Sequence, residues 1–263
     1  MSLTTIEACP YETIKVRFQE SVCFLQIDRP EAKNAINGRL IAECSEVLAA
    51  CEESTTVVVL SGSPEVFCFG ADFKAIADRS ASSYEQDGGP EPMYDLWMRM
   101  ATGPYVTISH VRGQANAGGV GFVAASDIVL ADETAQFSLS ELLFGLYPAC
   151  VLPFLMRRVG FQKANYLTLT TQPISAKQAA EWGLVDCVEA NSESLLRRHL
   201  QRLRRLSKTA IRRYKTYMSR ISMPLHDLKP AALAANLEVF SDVENLRAIT
   251  RYVEQGVFPW EKA

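Results

Sequence analysis

The sequence predicts an α/β fold, and three observations predict it. Short apolar runs of strand type occur at residues 57–60, 105–111 and 128–130. Segments of helical spacing, such as residues 40–51, alternate with them. Two glycine-bearing turns, Phe69-Gly70-Ala71-Asp72-Phe73 and Ala115-Asn116-Ala117-Gly118-Gly119-Val120-Gly121-Phe122, each follow an apolar run and lead into helix-like sequence. Strand and helix in alternation imply an α/β architecture.

The elements follow in order. Residues 13–18 and Val22–Ile27 alternate well enough for a hairpin or adjacent strands. Residues 40–51 place Leu40, Ile41, Cys44, Val47, Leu48 and Cys51 at helical spacing. Residues 79–92 are polar around Asp87-Gly88-Gly89-Pro90 and read as a surface loop or as a lid over a pocket. The aromatic-rich segment 93–98 follows. Its Tyr94 and Trp97 either line that pocket or pack in the core. Residues 183–189 end the core, so the chain divides into a catalytic part, 1–192, and a helical part, 193–263. Residues 195–218 read as one helix with an apolar stripe of Leu195, Leu196, Leu200, Leu203, Leu206, Ile211, Tyr214 and Met218. Residues 230–260 form a second helical region.

Composition sets bounds on function. The 263 residues can bury a full core, and 48% apolar with 22% charged residues is ordinary for a globular protein. No apolar run reaches about 18 residues, and residues 1–10 lack a basic-then-apolar leader, so a cytoplasmic protein is expected. Seven scattered cysteines without CxxC spacing fit a reduced setting, with Cys68 and Cys150 as packing residues. No cluster suggests a metal site.

Residues 194–226 contain no acid, yet carry Arg197, Arg198, Arg202, Arg204, Arg205, Lys208, Arg212, Arg213, Lys215 and Arg220, in a chain of net charge −3. This basic face is either solvated and paired with acids elsewhere, or a dock for an acidic carrier protein or coenzyme phosphates. Nucleic acid is the weaker reading, because no RNA-recognition motif accompanies the charge.

A glycine turn between strand and helix exposes backbone N–H groups at a helix N-terminus, where negative charge on oxygen is stabilised. Two such turns converging would form an oxyanion hole for a thioester enolate. At this point the chain resembles the enoyl-CoA hydratase (crotonase) superfamily. Residues 27–36 resemble its first strand and coenzyme-binding loop. Residues 57–61 with 67–73 resemble the strand and turn supplying the first oxyanion N–H, here Ala71. Residues 113–119 with 125–128 resemble the second turn, with Gly118 as donor. Residues 137–148 resemble the catalytic-glutamate segment, and residues 174–186 a further one. The resemblance implies a spiral of ββα units with C-terminal helices that pack in trimers or dimers of trimers. It also implies no cofactor beyond the phosphopantetheine or CoA thioester that enters as substrate.

Hydratases of this family use two glutamates around one water. The second corresponds to Glu141, whereas the first would stand at Gly121. Ordinary two-glutamate water addition is therefore in doubt. Phe67-Cys68-Phe69-Gly70-Ala71-Asp72-Phe73, Tyr94-Asp95-Leu96-Trp97, residues 102–113 and Phe144-Gly145-Leu146-Tyr147-Pro148-Ala149-Cys150 resemble one bacterial subgroup, the crotonase homologues of polyketide-synthase β-branching cassettes. The dehydratase member matches best and the partner decarboxylase less well. That implies dehydration of 3-hydroxy-3-methylglutaryl on an acyl carrier protein to 3-methylglutaconyl.

Such a dehydration needs a base for the α-proton, donors for the enolate oxygen and an acid for the departing hydroxyl. Glu141 is the expected proton-transfer residue, and Ala71 and Gly118 the donors. Asp72 either caps the following helix or binds substrate, and Asn116 either forms a turn or holds the substrate hydroxyl. Tyr94, Trp97 and Tyr147 are expected at the acyl group. A free substrate carboxylate wants a cation, for which Lys74, Arg157 and Arg158 are candidates. His110 reads as structural. Two rival functions remain: an enoyl thioester Δ3/Δ2 isomerase, which also suits one glutamate, and a non-catalytic homologue that binds carrier protein or RNA.

Overall fold

Val57, Val58, Val59 and Leu60 alternate between two apolar layers, which places strand β3 (Val57–Ser61) in the middle of a sheet buried on both faces. The computed structural model describes residues 3–77, 89–222 and 225–261. Of the segment 79–92, only the last four residues lie within the described residues, so the lid reading falls outside them.

The larger sheet has six strands in the order β1-β2-β3-β5-β7-β10. Strands β1 (Ile14–Gln19) and β2 (Val22–Ile27) pair antiparallel, and the others join in parallel. They are β5 (Val106–Val111), β7 (Ile128–Ala131) and β10 (Cys187–Val188). The smaller sheet contains β4 (Val66–Cys68), β6 (Gln114–Asn116), β8 (Gln136–Ser138) and β9 (Ile174–Ser175), in that order. The passes β3, β5 and β7 through the large sheet are each followed by a short strand in the small one, β4, β6 and β8. The chain then turns into a helix or 3-10 turn: α3 (Phe73–Ala77), α5 (Gly118–Ala125) or the turn Glu141–Phe144. This is the expected winding of ββα units. Successive turns after the small sheet stack beside one another.

One face of the large sheet packs on α2 (Gly38–Ala50), α4 (Glu91–Thr102), α5 and α6 (Leu152–Thr170). The other is covered by Leu195, Leu196 and Leu200 of α8 (Ser192–Leu203). Each of these leucines contributes roughly 2 kcal/mol by burial. The single helix expected over residues 195–218 is two. Ser207 accepts a hydrogen bond from the Ala210 N–H and starts α9 (Lys208–Ile221) afresh. Two short helices, α1 (Leu3–Glu7) and α7 (Ala176–Glu181), precede β1 and β10.

Much of the basic run is engaged structurally. Lys215 is buried against Asp127, with Nζ to Oδ2 at 2.6 Å, and Lys208 donates to the carbonyls of Thr55 and Cys51. Arg204 pairs with Glu20 and Arg198 with Glu189. Helix α8 lies on the sheet face opposite the cavity described below.

The C-terminal segment forms α10 (Leu225–Ser241) and α11 (Val243–Gln255). Asp242 caps α11 by accepting from the Glu244 and Asn245 N–H groups. Asn245 in turn donates to the Gly145 carbonyl, 3.2 Å away, and ties this helix to the segment that follows Glu141. Phe144 packs edge-on against Phe73 and Tyr252, with ring centroids 5.0 and 5.1 Å apart. The last helix therefore sits on this chain's own glutamate segment.

Candidate active site

The turn after β4 and the turn after β6 meet. Gly70 has φ +93°, and a Cβ there would lie 2.6 Å from the Ala117 Cβ and 3.3 Å from the Gly118 nitrogen. Only glycine permits both that backbone and that approach. Ala117 itself holds a positive φ of +49°, an uncommon conformation for alanine that costs on the order of 1–3 kcal/mol. It turns the chain from β6 into α5.

The resulting donors are unengaged. Ile36 bridges Ala71 in parallel: the Ile36 N–H donates to the Gly70 carbonyl and the Asp72 N–H to the Ile36 carbonyl. That pattern leaves the Ala71 N–H directed away from Ile36. The Gly118 N–H opens α5, where no carbonyl of its own helix can reach it. Neither N–H has a partner among the described residues. Both residues border one cavity of about 680 Å3.

Glu141 borders the same cavity. It opens the 3-10 turn Glu141–Phe144, held by the Leu146 N–H donating back to its carbonyl. The residue keeps some exposure overall, but its carboxylate Oε2 is buried and has no partner among the described residues. Burial raises its pKa to about 7, against a smaller downward pull from its own backbone N–H. At neutral pH such a carboxyl is present in both forms. Two other carboxylates border the cavity. Asp72 pairs with Arg29 at 2.9 Å, and Glu31 is exposed beside the same arginine.

The other expected residues divide. Asp72 accepts from the Ala75 N–H and caps α3, so the capping reading holds and its second oxygen is committed to Arg29. Asn116 donates to Ser140 Oγ at 2.9 Å and to the Phe69 carbonyl at 3.4 Å, and accepts from Ser138 Oγ at 2.8 Å. Its amide thus joins both turns to the Glu141 segment, and the residue borders the cavity. Tyr94 is a correction: it is fully buried on Phe154, its hydroxyl donates to the Leu225 carbonyl at 2.8 Å, and it does not border the cavity. Trp97, one helical turn on, does. Tyr147 borders the cavity, half-buried, with its hydroxyl pKa raised by burial and by Glu238.

Lys74 is exposed at the cavity border. Arg157 and Arg158 are not there. They donate to the Ala124 and Ser126 carbonyls, and Arg158 also pairs with Asp186. His110 is buried with Nε2 2.9 Å from Ser192 Oγ, as a structural residue. Cys68 and Cys150 are buried thiols whose pKa burial pushes up to about 12.

Sequence reasoning missed three contributions. Lys33 also borders the cavity, its ammonium 5.0 Å from the Phe69 ring centre. Lys33 and Asn34 both have positive φ, and the Asn34 side chain fixes that loop to the Arg29 N–H and the Val66 carbonyl. The resemblance of residues 27–36 to a coenzyme-binding loop was the available signal. Phe144, Tyr252 and Phe258 form an aromatic wall for which the sequence carried none.

Two unengaged backbone donors and a carboxyl with one buried, unpartnered oxygen around one cavity, on a spiral of ββα units, define a protein of the crotonase type. The enoyl-CoA hydratase/isomerase family model matches residues 17–263, and the chain belongs to that family. It is 61% identical to the bacillaene synthase dehydratase PksH of Bacillus subtilis (strain 168) over 252 residues, which is 95% of this chain and 97% of that one. It is 33% identical over 173 residues to the 2,3-dehydroadipyl-CoA hydratase of Escherichia coli (strain K12), covering 65% and 66% of the two chains. The crystal structure of PksH from Bacillus subtilis superposes with a TM-score of 0.89 at 59% identity, over 95% of this chain and all of that one. An enoyl-CoA hydratase of Mycobacterium avium subsp. paratuberculosis K-10, at 23% identity, shares the fold with a TM-score of 0.81 over 97% of this chain and all of the other.

Proposed function

We propose that this protein is a hydro-lyase of polyketide biosynthesis that dehydrates 3-hydroxy-3-methylglutaryl on an acyl carrier protein to the 3-methylglutaconyl thioester. The observation that carries the reading is Glu141, whose buried carboxylate oxygen Oε2 has no partner among the described residues and whose pKa burial raises to about 7, bordering the same cavity as two unengaged N–H donors. The 61% identity to a dehydratase supports loss rather than addition of water.

In the reaction, the Glu141 carboxylate takes the proton from the carbon next to the thioester. The electron pair passes to the thioester oxygen, where the Ala71 and Gly118 N–H groups hold the negative charge. As the enolate collapses, the C2–C3 double bond forms and the C3–O bond breaks. The proton held by Glu141 leaves with the hydroxyl as water. A carboxyl with a pKa near the working pH can serve in both steps. Each backbone donor contributes about 3–4 kcal/mol at the transition state.

Lys33 and Lys74 are the cations bordering the cavity among the described residues, and they supply positive charge for the free carboxylate of the acyl group and the phosphate of the carrier arm. The exposed Tyr214, Tyr217 and Ile221 of α9 fit burial between copies in a trimer. The division into a core, 1–192, and an assembly region, 193–263, belongs to the same proposal.

The isomerase reading also needs one carboxylate, and product analysis separates the two. The test is intact-protein mass spectrometry of 3-hydroxy-3-methylglutaryl carrier protein incubated with the enzyme and with Glu141→Gln. Loss of one water from the acyl group, abolished in the variant, is expected. No mass change, with 3-enoyl thioesters isomerised instead, would replace the dehydratase by the isomerase. Turnover of neither would favour a binding protein.

A further inference from the structure

Gly121 lies one turn along α5 from the Gly118 donor, so the two share a helix face. A side chain at 121 would point where Trp97 now stands. A Cβ there would lie 2.3 Å from Trp97 Cζ2, 2.5 Å from Cη2 and 2.8 Å from Cε2. A Cβ on Gly118 would lie 3.9 Å from the same Cζ2. The edge of the indole next to its nitrogen therefore packs against the oxyanion turn.

The ring cannot easily leave. It is fully buried and held edge-on by Phe122 and Phe154, with centroids 5.9 and 5.8 Å away. Yet its Nε1–H, a buried donor, has no partner among the described residues. Most buried polar groups are hydrogen-bonded, and an orphan is a sign of strain or of a ligand to come. Trp97 borders the cavity that holds Glu141.

We infer that Trp97 stands where a second carboxylate would otherwise reach the reacting carbons, and that its indole N–H donates a hydrogen bond to the oxygen on C3 of the bound acyl thioester. This rests on the reading of the cavity as a thioester site served by Glu141. The indole does not give up its proton. It holds the C3 oxygen as charge grows on it during C–O cleavage, while Glu141 supplies the proton that leaves with it as water. The ring also reserves the space above Gly121, so a second acid–base group and a water for it are both excluded. A site with one carboxylate and one pure donor can then run the elimination with a single acid–base group, the donor holding the C3 oxygen and the carboxyl moving the proton.

Two measurements test this on the intact enzyme. In the first, Trp97→Phe keeps an aromatic ring and removes the N–H. Its kcat should fall roughly ten- to a hundredfold with KM changed little, and the limb of the kcat profile near pH 7 should stay in place because Glu141 is untouched. In the second, the protein is labelled at its indole nitrogens and titrated with a 3-oxobutyryl thioester. That ligand carries an oxygen on C3 and cannot lose water. The Trp97 Nε1–H resonance, assigned by its absence from the variant, should move downfield on binding, while that of Trp182, away from the cavity, stays put.

A folded Trp97→Phe with kcat within twofold of wild type would overturn the inference, as would an unmoved Trp97 resonance at saturation. If the variant folds poorly, other tryptophan substitutions assign the resonance and the titration decides. The titration needs no turnover, so a resonance shift without dehydration would sink the proposed reaction and leave standing only the hydrogen bond from Trp97 to the oxygen on C3.

Discussion

Gly121→Ala is the sharpest probe of this site, because two effects of opposite sign meet there. Gly121 lies inside α5 and has no positive φ, so alanine should gain roughly 0.5–1 kcal/mol in helix propensity. Against that, the new methyl meets three indole carbons of Trp97 at 2.3–2.8 Å, where carbon atoms normally rest about 3.5–4.0 Å apart. More than an ångström of overlap must be relieved by a ring that Phe122 and Phe154 pin and solvent does not reach. Overpacking of this kind costs about 1–3 kcal/mol. The clash wins, leaving a net loss of about 1–2 kcal/mol and a fall in melting temperature of roughly 2–8 °C for a chain of this size. In a Trp97→Phe background the offending Cζ2, Cη2 and Cε2 positions are vacated, and the same substitution should become neutral or stabilising. The assay is a double-mutant cycle by thermal and denaturant unfolding at one protein concentration. If Gly121→Ala is neutral with Trp97 present, or costs the same in both backgrounds, the indole does not occupy the space assigned to it.

Three further expectations concern the site. The Glu141 carboxyl, raised from 4.5 to about 7, is protonated more readily in the folded chain than in the unfolded one. Its contribution to stability is therefore complete below about pH 4.5 and is lost as pH rises through about 7, by about 3 kcal/mol. Glu141→Gln should melt higher than wild type at pH 8, gain little at pH 4.5 and lose turnover. In wild type, kcat should rise with pH to a plateau through a pKa near 7, and a flat profile from pH 5 to 9 would contradict its role as base. Ala71→Pro removes one enolate donor and should lower kcat by about 100- to 1,000-fold, checked by single-turnover kinetics beside a circular dichroism spectrum. Asn116→Ala leaves the hydroxyls of Ser138 and Ser140 without their shared partner and should cost about 1–3 kcal/mol in unfolding experiments, with a fall in kcat as the two turns loosen.

Strands β3 and β7 were legible because each is buried on both faces and so reads as a continuous apolar run, and β5 because its apolar residues alternate with buried Thr107, Ser109 and His110. The two turns were legible because close backbone approach demands glycine, and Glu141 because it follows them at the spacing of a known family. The break at Ser207 has a sequence signal, a serine cap, but the apolar stripe runs on across it and masks it. Which of Tyr94 and Trp97 reaches the cavity was not legible. Both are large, aromatic and on one buried helix, and the choice falls to Phe154, Leu225 and Gly121, far along the chain.

By itself, then, the sequence determined the alternation of strands and helices, the two donor turns, the single candidate carboxyl and the glycine where a second would stand. The alternation and the glycine turns are local properties, set by side-chain size, period and backbone freedom, whereas the carboxyl and the glycine in place of a second were legible only through the resemblance to a family. Only the tertiary structure decided that an indole takes the empty place, that Asn116 and Asp72 brace the turns, and that the C-terminal helix lies on this chain's own glutamate segment. Burial raises the Glu141 pKa, and burial is a property of packing between distant segments that no residue carries alone.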